Sequence, residues 1–191
     1  MNIEGLWPMY AWAGVVALAI VAGIWSATNP RDVRPSLPPE HVAGATLLGL
    51  FGWEMLVHLP GSARGYWLLT AGLGDWRGLQ AQQAFLVAQA AFAIGAGFAV
   101  VGILRRRTWG AVLGIGLASA TVLSSILSFA NIMATIAESM SPDAYWATVV
   151  SILGLRAIPA LAAALLLLWP LVRRTARRTD APDQEIVGVA G

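Results

Sequence analysis

The chain alternates long apolar stretches with short polar connections. A helix needs about 20 apolar residues to cross the hydrocarbon core of a bilayer, and five stretches reach or approach that length. The pattern therefore predicts an all-α fold: a polytopic transmembrane helical bundle that occupies residues 1–172. The five predicted spans are residues 7–25, 42–59, 80–104, 109–137 and 145–171.

The polar connections between these spans predict three further features. Residues 29–39 contain four prolines, which is typical of a stiff, extended loop. Residues 60–79 carry tyrosine and tryptophan among glycines, so we expect a short helix lying at the membrane surface, where such aromatic side chains concentrate. Residues 173–191 are polar and charged, which predicts a disordered cytoplasmic tail.

Composition excludes several classes of protein. Only 12% of the residues are charged and 58% are hydrophobic, unlike a soluble domain, where about a quarter are charged. The chain has no cysteine, which excludes disulfides, thiolate metal sites and iron–sulfur clusters. Its two histidines, His41 and His58, are predicted on opposite sides of the membrane, so we expect no metal site. No basic face suits nucleic acid, so we expect no such partner.

The arginines predict the orientation of the chain. Short cytoplasmic loops are enriched in arginine and lysine, and with five crossings three arginine groups fall on one side. The sequence therefore predicts a multi-pass plasma (inner) membrane protein with its N-terminus outside and its C-terminus in the cytoplasm. An alternative prediction has four spans, in which residues 7–25 do not cross the membrane and the N-terminus lies on the same side as the C-terminal arginines. The three groups are Arg31 with Arg34, Arg105 to Arg107, and Arg173 to Arg178.

Charged residues lie inside two of the predicted spans. Glu54 and His58 are one helical turn apart in the second span, and Arg156 lies in the fifth. A lone ionisable group at the centre of a membrane helix costs roughly 2.5–3.5 kcal/mol. Arg156 lies eleven residues after Tyr145, where the fifth span begins, and this is about 16 Å along a helix. We therefore predict that Arg156 and Glu54 lie at nearly the same depth, in the outer half of the membrane.

Amide and hydroxyl side chains extend this polar level to the third and fourth spans. Gln89 lies inside the third span and Asn131 in the outer half of the fourth. We therefore predict a ligand-binding site formed by Glu54, His58, Gln89, Asn131 and Arg156. A second interpretation is that Glu54 and Arg156 form a structural ion pair, while the polar residues of the fourth span join neighbouring helices. Those residues are Thr121, Ser124, Ser128, Asn131, Thr135 and Glu138.

Part of the chain resembles a known family. The segment from Leu48 to Pro60, with the sequence LGLFGWEMLVHLP, is followed by Val87 to Leu104, by three arginines and by the glycine-rich stretch Trp109 to Thr121. Across residues 45–168 this pattern is similar to the DoxX-like membrane proteins. The resemblance implies a four-helix core, here with an added N-terminal helix. Some members of that family are linked to quinone-coupled sulfur oxidation or to redox-stress complexes, but that function is not carried over to this chain, nor is any catalytic residue. The chain departs from the family pattern at His58, where lysine is commoner.

Three functions fit this sequence. The first is a binding or redox-accessory subunit with an outer-leaflet polar site, with a quinone as its candidate cofactor. The second is a small proton-coupled transporter that uses Glu54, His58 and Arg156, and the third is a structural subunit of a larger membrane complex. The predicted partners are the lipid bilayer and either other membrane subunits or further copies of the chain. The sequence assigns neither a reaction nor a catalytic residue.

Overall fold

The protein is an all-α bundle, as the sequence predicts. The computed structural model describes residues 7–28, 37–68, 70–71, 76–136 and 140–179. Five of its helical segments are long and apolar enough to cross a membrane. The helices are α1 (Trp7–Ala27), α2 (Pro39–Leu68), α3 (Trp76–Leu104), α4 (Thr108–Ile136), α5 (Pro142–Val149), a π-helix (Val150–Ala157) and α6 (Ile158–Thr179), the last three forming the fifth span.

Helix α4 lies at the centre of the bundle. It packs against α1, α3, α6 and the π-helix, while α2 packs against α3 and α6. The core is built largely from small residues and a few large ones, among them Phe92, Leu48 and Leu117, which are fully buried. Helix α1 contributes Trp12 and Val16 to the same core. The helix that the family resemblance treats as an addition is therefore packed into the bundle.

The second helix is longer than its predicted span. We expected residues 60–79 to hold a separate surface helix, but α2 continues through Pro60 to Leu68, so that expectation is wrong for this part. An internal proline removes one backbone hydrogen bond and strains the helix, whereas starting a new helix requires an unfavourable nucleation step. Extending α2 through Pro60 therefore avoids the cost of nucleating a second helix.

The last helix is also longer than its predicted span. Helix α6 continues to Thr179, past Arg173, where the sequence predicts the start of a disordered tail. Residues 180–191 of that predicted tail lie outside the described residues, as do residues 29–36 of the predicted extended loop and Glu138.

Helices α3 and α4 approach each other closely at a tight turn. A Cβ atom added to Gly110 would lie 2.5 Å from the backbone nitrogen of Ile103 and 2.6 Å from the carbonyl carbon of Gly102. Arg106, between the two helices, adopts the left-handed conformation with φ 60°. The backbone N–H of Arg107 then donates to the carbonyl of Gly102 at 2.9 Å. The two glycines therefore allow the contact that closes this hairpin.

The fifth span contains a π-helix of eight residues, with Arg156 in its last turn. The N–H of Ile158 donates to the carbonyl of Leu153, five residues earlier, instead of four as in an α-helix. Pro159 follows immediately. In an α-helix its ring would clash with the carbonyl of Leu155, and it has no N–H to offer. We attribute the wider winding before Pro159 to this conflict.

Candidate intramembrane polar site

Glu54 of α2 and Arg156 of the π-helix form an ion pair. The Arg156 Nε donates to Glu54 Oε1 at 3.0 Å, and Arg156 Nη2 donates to the same oxygen. Arg156 lies between Trp146 and Trp169, aromatic residues of the kind that favour the two membrane interfaces. The contact expected from the predicted depths of the two charges is therefore present.

The protein covers this ion pair only in part. The side chain of Arg156 is 44% exposed and that of Glu54 is 30% exposed. Both hydrogen bonds converge on Oε1, so Glu54 Oε2 and Arg156 Nη1 have no partner among the described residues. Hydrocarbon offers no hydrogen bond to such groups. In a bilayer, the open side of the pair therefore needs a polar occupant.

Gln89 of α3 lies beside the turn of α2 that carries Glu54. Its side chain is 2% exposed, and its Nε2 donates to the backbone carbonyl of Met55 at 2.9 Å. A carbonyl oxygen only accepts hydrogen bonds, so this contact fixes the orientation of the amide, with the nitrogen toward Met55. The opposite atom, Gln89 Oε1, is buried and has no hydrogen-bond partner among the described residues. It is an acceptor left without a donor.

His58 and Asn131, the other two predicted site residues, are placed differently. His58 is exposed on α2, and its ring makes no hydrogen bond or ion pair with another described residue. Asn131 is half-buried on α4 and takes part in a polar interaction of its own. The structure thus brings Glu54 and Arg156 into direct contact and connects Gln89 to the same turn through Met55. Binding by any of the five residues remains a prediction.

The hydroxyl groups of α4 do not all join neighbouring helices. Thr121 donates to the carbonyl of Leu117 at 3.1 Å, and the adjacent buried Ser125 donates to the carbonyl of Thr121 at 2.8 Å. Both bonds run back within α4. We predicted that the polar residues of α4 join neighbouring helices. That prediction is wrong for the hydrogen bond that Thr121 donates, because its acceptor lies in the same helix. A carbonyl four residues back in its own helix lies within reach of a threonine or serine without any neighbour.

Sequence reasoning overlooked the role of His41. Its side chain, at the beginning of α2, is 1% exposed, and its Nε2 lies 3.1 Å from the backbone carbonyl of Leu167 in α6. Because that carbonyl accepts, Nε2 carries the proton in this contact. The residue connects α2 to α6 at the end of the bundle away from Glu54. The sequence placed His41 one residue before the predicted span 42–59, a position that gave no signal of burial.

The described residues contain no group of three or more histidine, cysteine or acidic side chains arranged to hold a metal ion. The charges that the described residues bring together at this site are the carboxylate of Glu54 and the guanidinium of Arg156. The chemistry available there is hydrogen bonding and charge pairing, with a donor at Arg156 and acceptors at Glu54 and Gln89.

The fold and its five apolar spans define a multi-pass, all-helical integral membrane protein. No family model, no curated protein and no solved structure matches the chain. Its resemblance to the DoxX-like proteins therefore stays a prediction from the sequence.

Proposed function

We propose that the protein is a membrane-embedded binding subunit whose site receives the polar head group of an amphiphile. The observation that carries this proposal is Gln89 Oε1, a buried acceptor without a partner. Leaving such a group unpaired costs about 1–3 kcal/mol. A ligand with a hydrogen-bond donor would remove that cost. We propose that the same ligand lies beside the exposed side of the Glu54–Arg156 ion pair.

The unpaired atoms specify the chemistry of the head group. Arg156 Nη1 requires an acceptor, whereas Gln89 Oε1 and Glu54 Oε2 require donors. A compact head group that carries both carbonyl and hydroxyl functions meets these requirements. The hydroxyl groups of a quinol, the reduced form of a quinone, both donate and accept, so a quinol meets them as well. Binding it would make the protein a redox-accessory subunit. We place this site in the outer half of the plasma membrane, following the arginine distribution of the chain.

Replacement of Gln89 by methionine tests this proposal. Methionine has a similar length but no amide, so the variant keeps the packing and removes the polar contacts. We expect the amphiphile that copurifies with the wild-type protein in gentle detergent, measured by mass spectrometry of extracts, to fall about tenfold, because one hydrogen bond of roughly 1–1.5 kcal/mol is lost. Gln82→Met, at a half-buried position two turns earlier on the same helix, is the matched control and should retain it.

Two results would contradict the proposal. One is wild-type protein that carries no amphiphile other than bulk phospholipid. The other is equal retention by Gln89→Met and Gln82→Met, with both variants folded by circular dichroism. The second result would leave Glu54 and Arg156 as a structural ion pair.

A further inference from the structure

A groove on the surface of the bundle lies apart from the polar site, where α1, α3 and α4 meet. Its volume is about 510 Å³. Every residue along it is apolar, and Gly23 of α1 and Gly95 of α3 are among them. The groove ends beside Ala27, the last residue of α1, and Trp109, near the start of α4. Its walls include Ile20, Ile24, Ile94, Phe98 and Leu113.

The groove continues along the bundle. A second groove of about 450 Å³ lies between α1 and α3 and shares Ile20 and Ala91 with the first. It extends toward Gln80 at the other end of α3. Together the two grooves form an extended channel on the surface of the transmembrane region, apolar except for Gln80 and Gln83 at its far end. A long, mostly apolar channel is the shape that a hydrocarbon chain requires.

Positive charge is concentrated at the Trp109 end of this channel. Arg105, Arg106 and Arg107 form the turn between α3 and α4, and all three are exposed. The turn is held by backbone hydrogen bonds of 2.9 Å from Arg105 to Val101, from Arg106 to Ile103 and from Arg107 to Gly102. Trp109, two residues later, lines the groove. A fixed cationic turn therefore adjoins the mouth of an apolar channel.

We propose that this groove binds an anionic phospholipid, with an acyl chain in the channel and the phosphate at the arginine turn. Juxtamembrane arginines attract anionic lipids, and each contributes a favourable increment. Charge favours this occupant over a second copy of the chain. A symmetry axis along the membrane normal would place two arginine turns at the same depth, where they would repel each other.

The test is a titration of the 191-residue chain with dioleoyl phosphatidylglycerol, in which native mass spectrometry in detergent measures the bound lipid. Replacing both Arg105 and Arg107 by glutamine should weaken binding about 30-fold, the product of two such increments. The double variant Arg64→Gln with Arg173→Gln is the matched control. It removes the same charge from exposed positions elsewhere and should change binding by less than about threefold, since neither residue belongs to the turn.

The groove is tested separately from the charge. Phenylalanine at Ala27 should obstruct the mouth and weaken binding, whereas the exposed Ala43→Phe on α2 should leave it unchanged. A dihexanoyl phosphatidylglycerol should bind far more weakly than the dioleoyl lipid. The proposal is overturned if phosphatidylcholine binds as tightly as phosphatidylglycerol. It is also overturned if short and long chains bind equally, or if Ala27→Phe binds like the wild type.

Discussion

Glu54→Gln is expected to destabilise the protein more than Arg156→Gln. The first change leaves an unpaired guanidinium inside the membrane, which stays charged at any pH in use and costs roughly 2.5–3.5 kcal/mol. The second leaves a carboxyl group, which can bind a proton and become neutral. We expect the loss in free energy of unfolding to be at least twofold smaller for Arg156→Gln. Unfolding by dodecyl sulfate in mixed micelles measures both.

The double variant Glu54→Arg with Arg156→Glu is the control for this prediction. It keeps one charge of each sign at the same two positions, so most of the stability lost in either single variant should return. Equal losses in the two glutamine variants, with no recovery in the reversed pair, would contradict the account. That result would mean that water, rather than the partner side chain, stabilises each charge.

Gly110→Ala is the second change with a large expected effect. The added Cβ would meet the backbone of Ile103 at 2.5 Å and that of Gly102 at 2.6 Å. A backbone cannot move aside as the end of a side chain can, so α3 and α4 would have to separate. We expect a loss of about 1–3 kcal/mol in the free energy of unfolding, the range measured for overpacked cores.

Gly14→Ala is the matched control because an added Cβ on that glycine of α1 would meet nothing within 4 Å. Alanine favours a helix over glycine by about 0.8–1 kcal/mol, so this variant should be neutral or more stable than the wild type. Comparison of the two thermal midpoints separates the effect of close approach from that of helix propensity. A Gly110→Ala protein as stable as Gly14→Ala would show that the α3–α4 contact has room to relax.

The five spans were predictable because each depends on a local property, the length of an apolar run. The approach of Glu54 to Arg156 was predictable for a related reason: counting residues from the membrane surface gives depth, and two opposite charges at one depth attract. The α2 extension past Pro60 was not predictable in the same way. Whether a helix survives an internal proline depends on how well the flanking turns are held, and composition does not report that.

The contacts of Gln89 and His41 needed the three-dimensional arrangement. Gln89 donates to the carbonyl of Met55, and His41 contacts the carbonyl of Leu167. A backbone carbonyl is present at every residue, so the sequence holds no sign of which one a distant side chain will reach.

The π-helix was not predicted, for another reason. Pro159 predicts a local disturbance, but its form depends on how the fifth span packs against α4.

Glu54 and Arg156 are expected to meet at one depth inside the membrane, and spin labels beside them can measure that depth. The chain has no cysteine, so single cysteines at Trp53 and Leu155, the exposed neighbours of the pair, can each carry one spin label without further changes. The collision rates of each label with oxygen and with a water-soluble nickel complex, measured in liposomes, report its depth. The account predicts two labels in the hydrocarbon region within about one helical turn, 5.4 Å, of each other. A label in water or at the head groups, or a larger difference in depth, would contradict it.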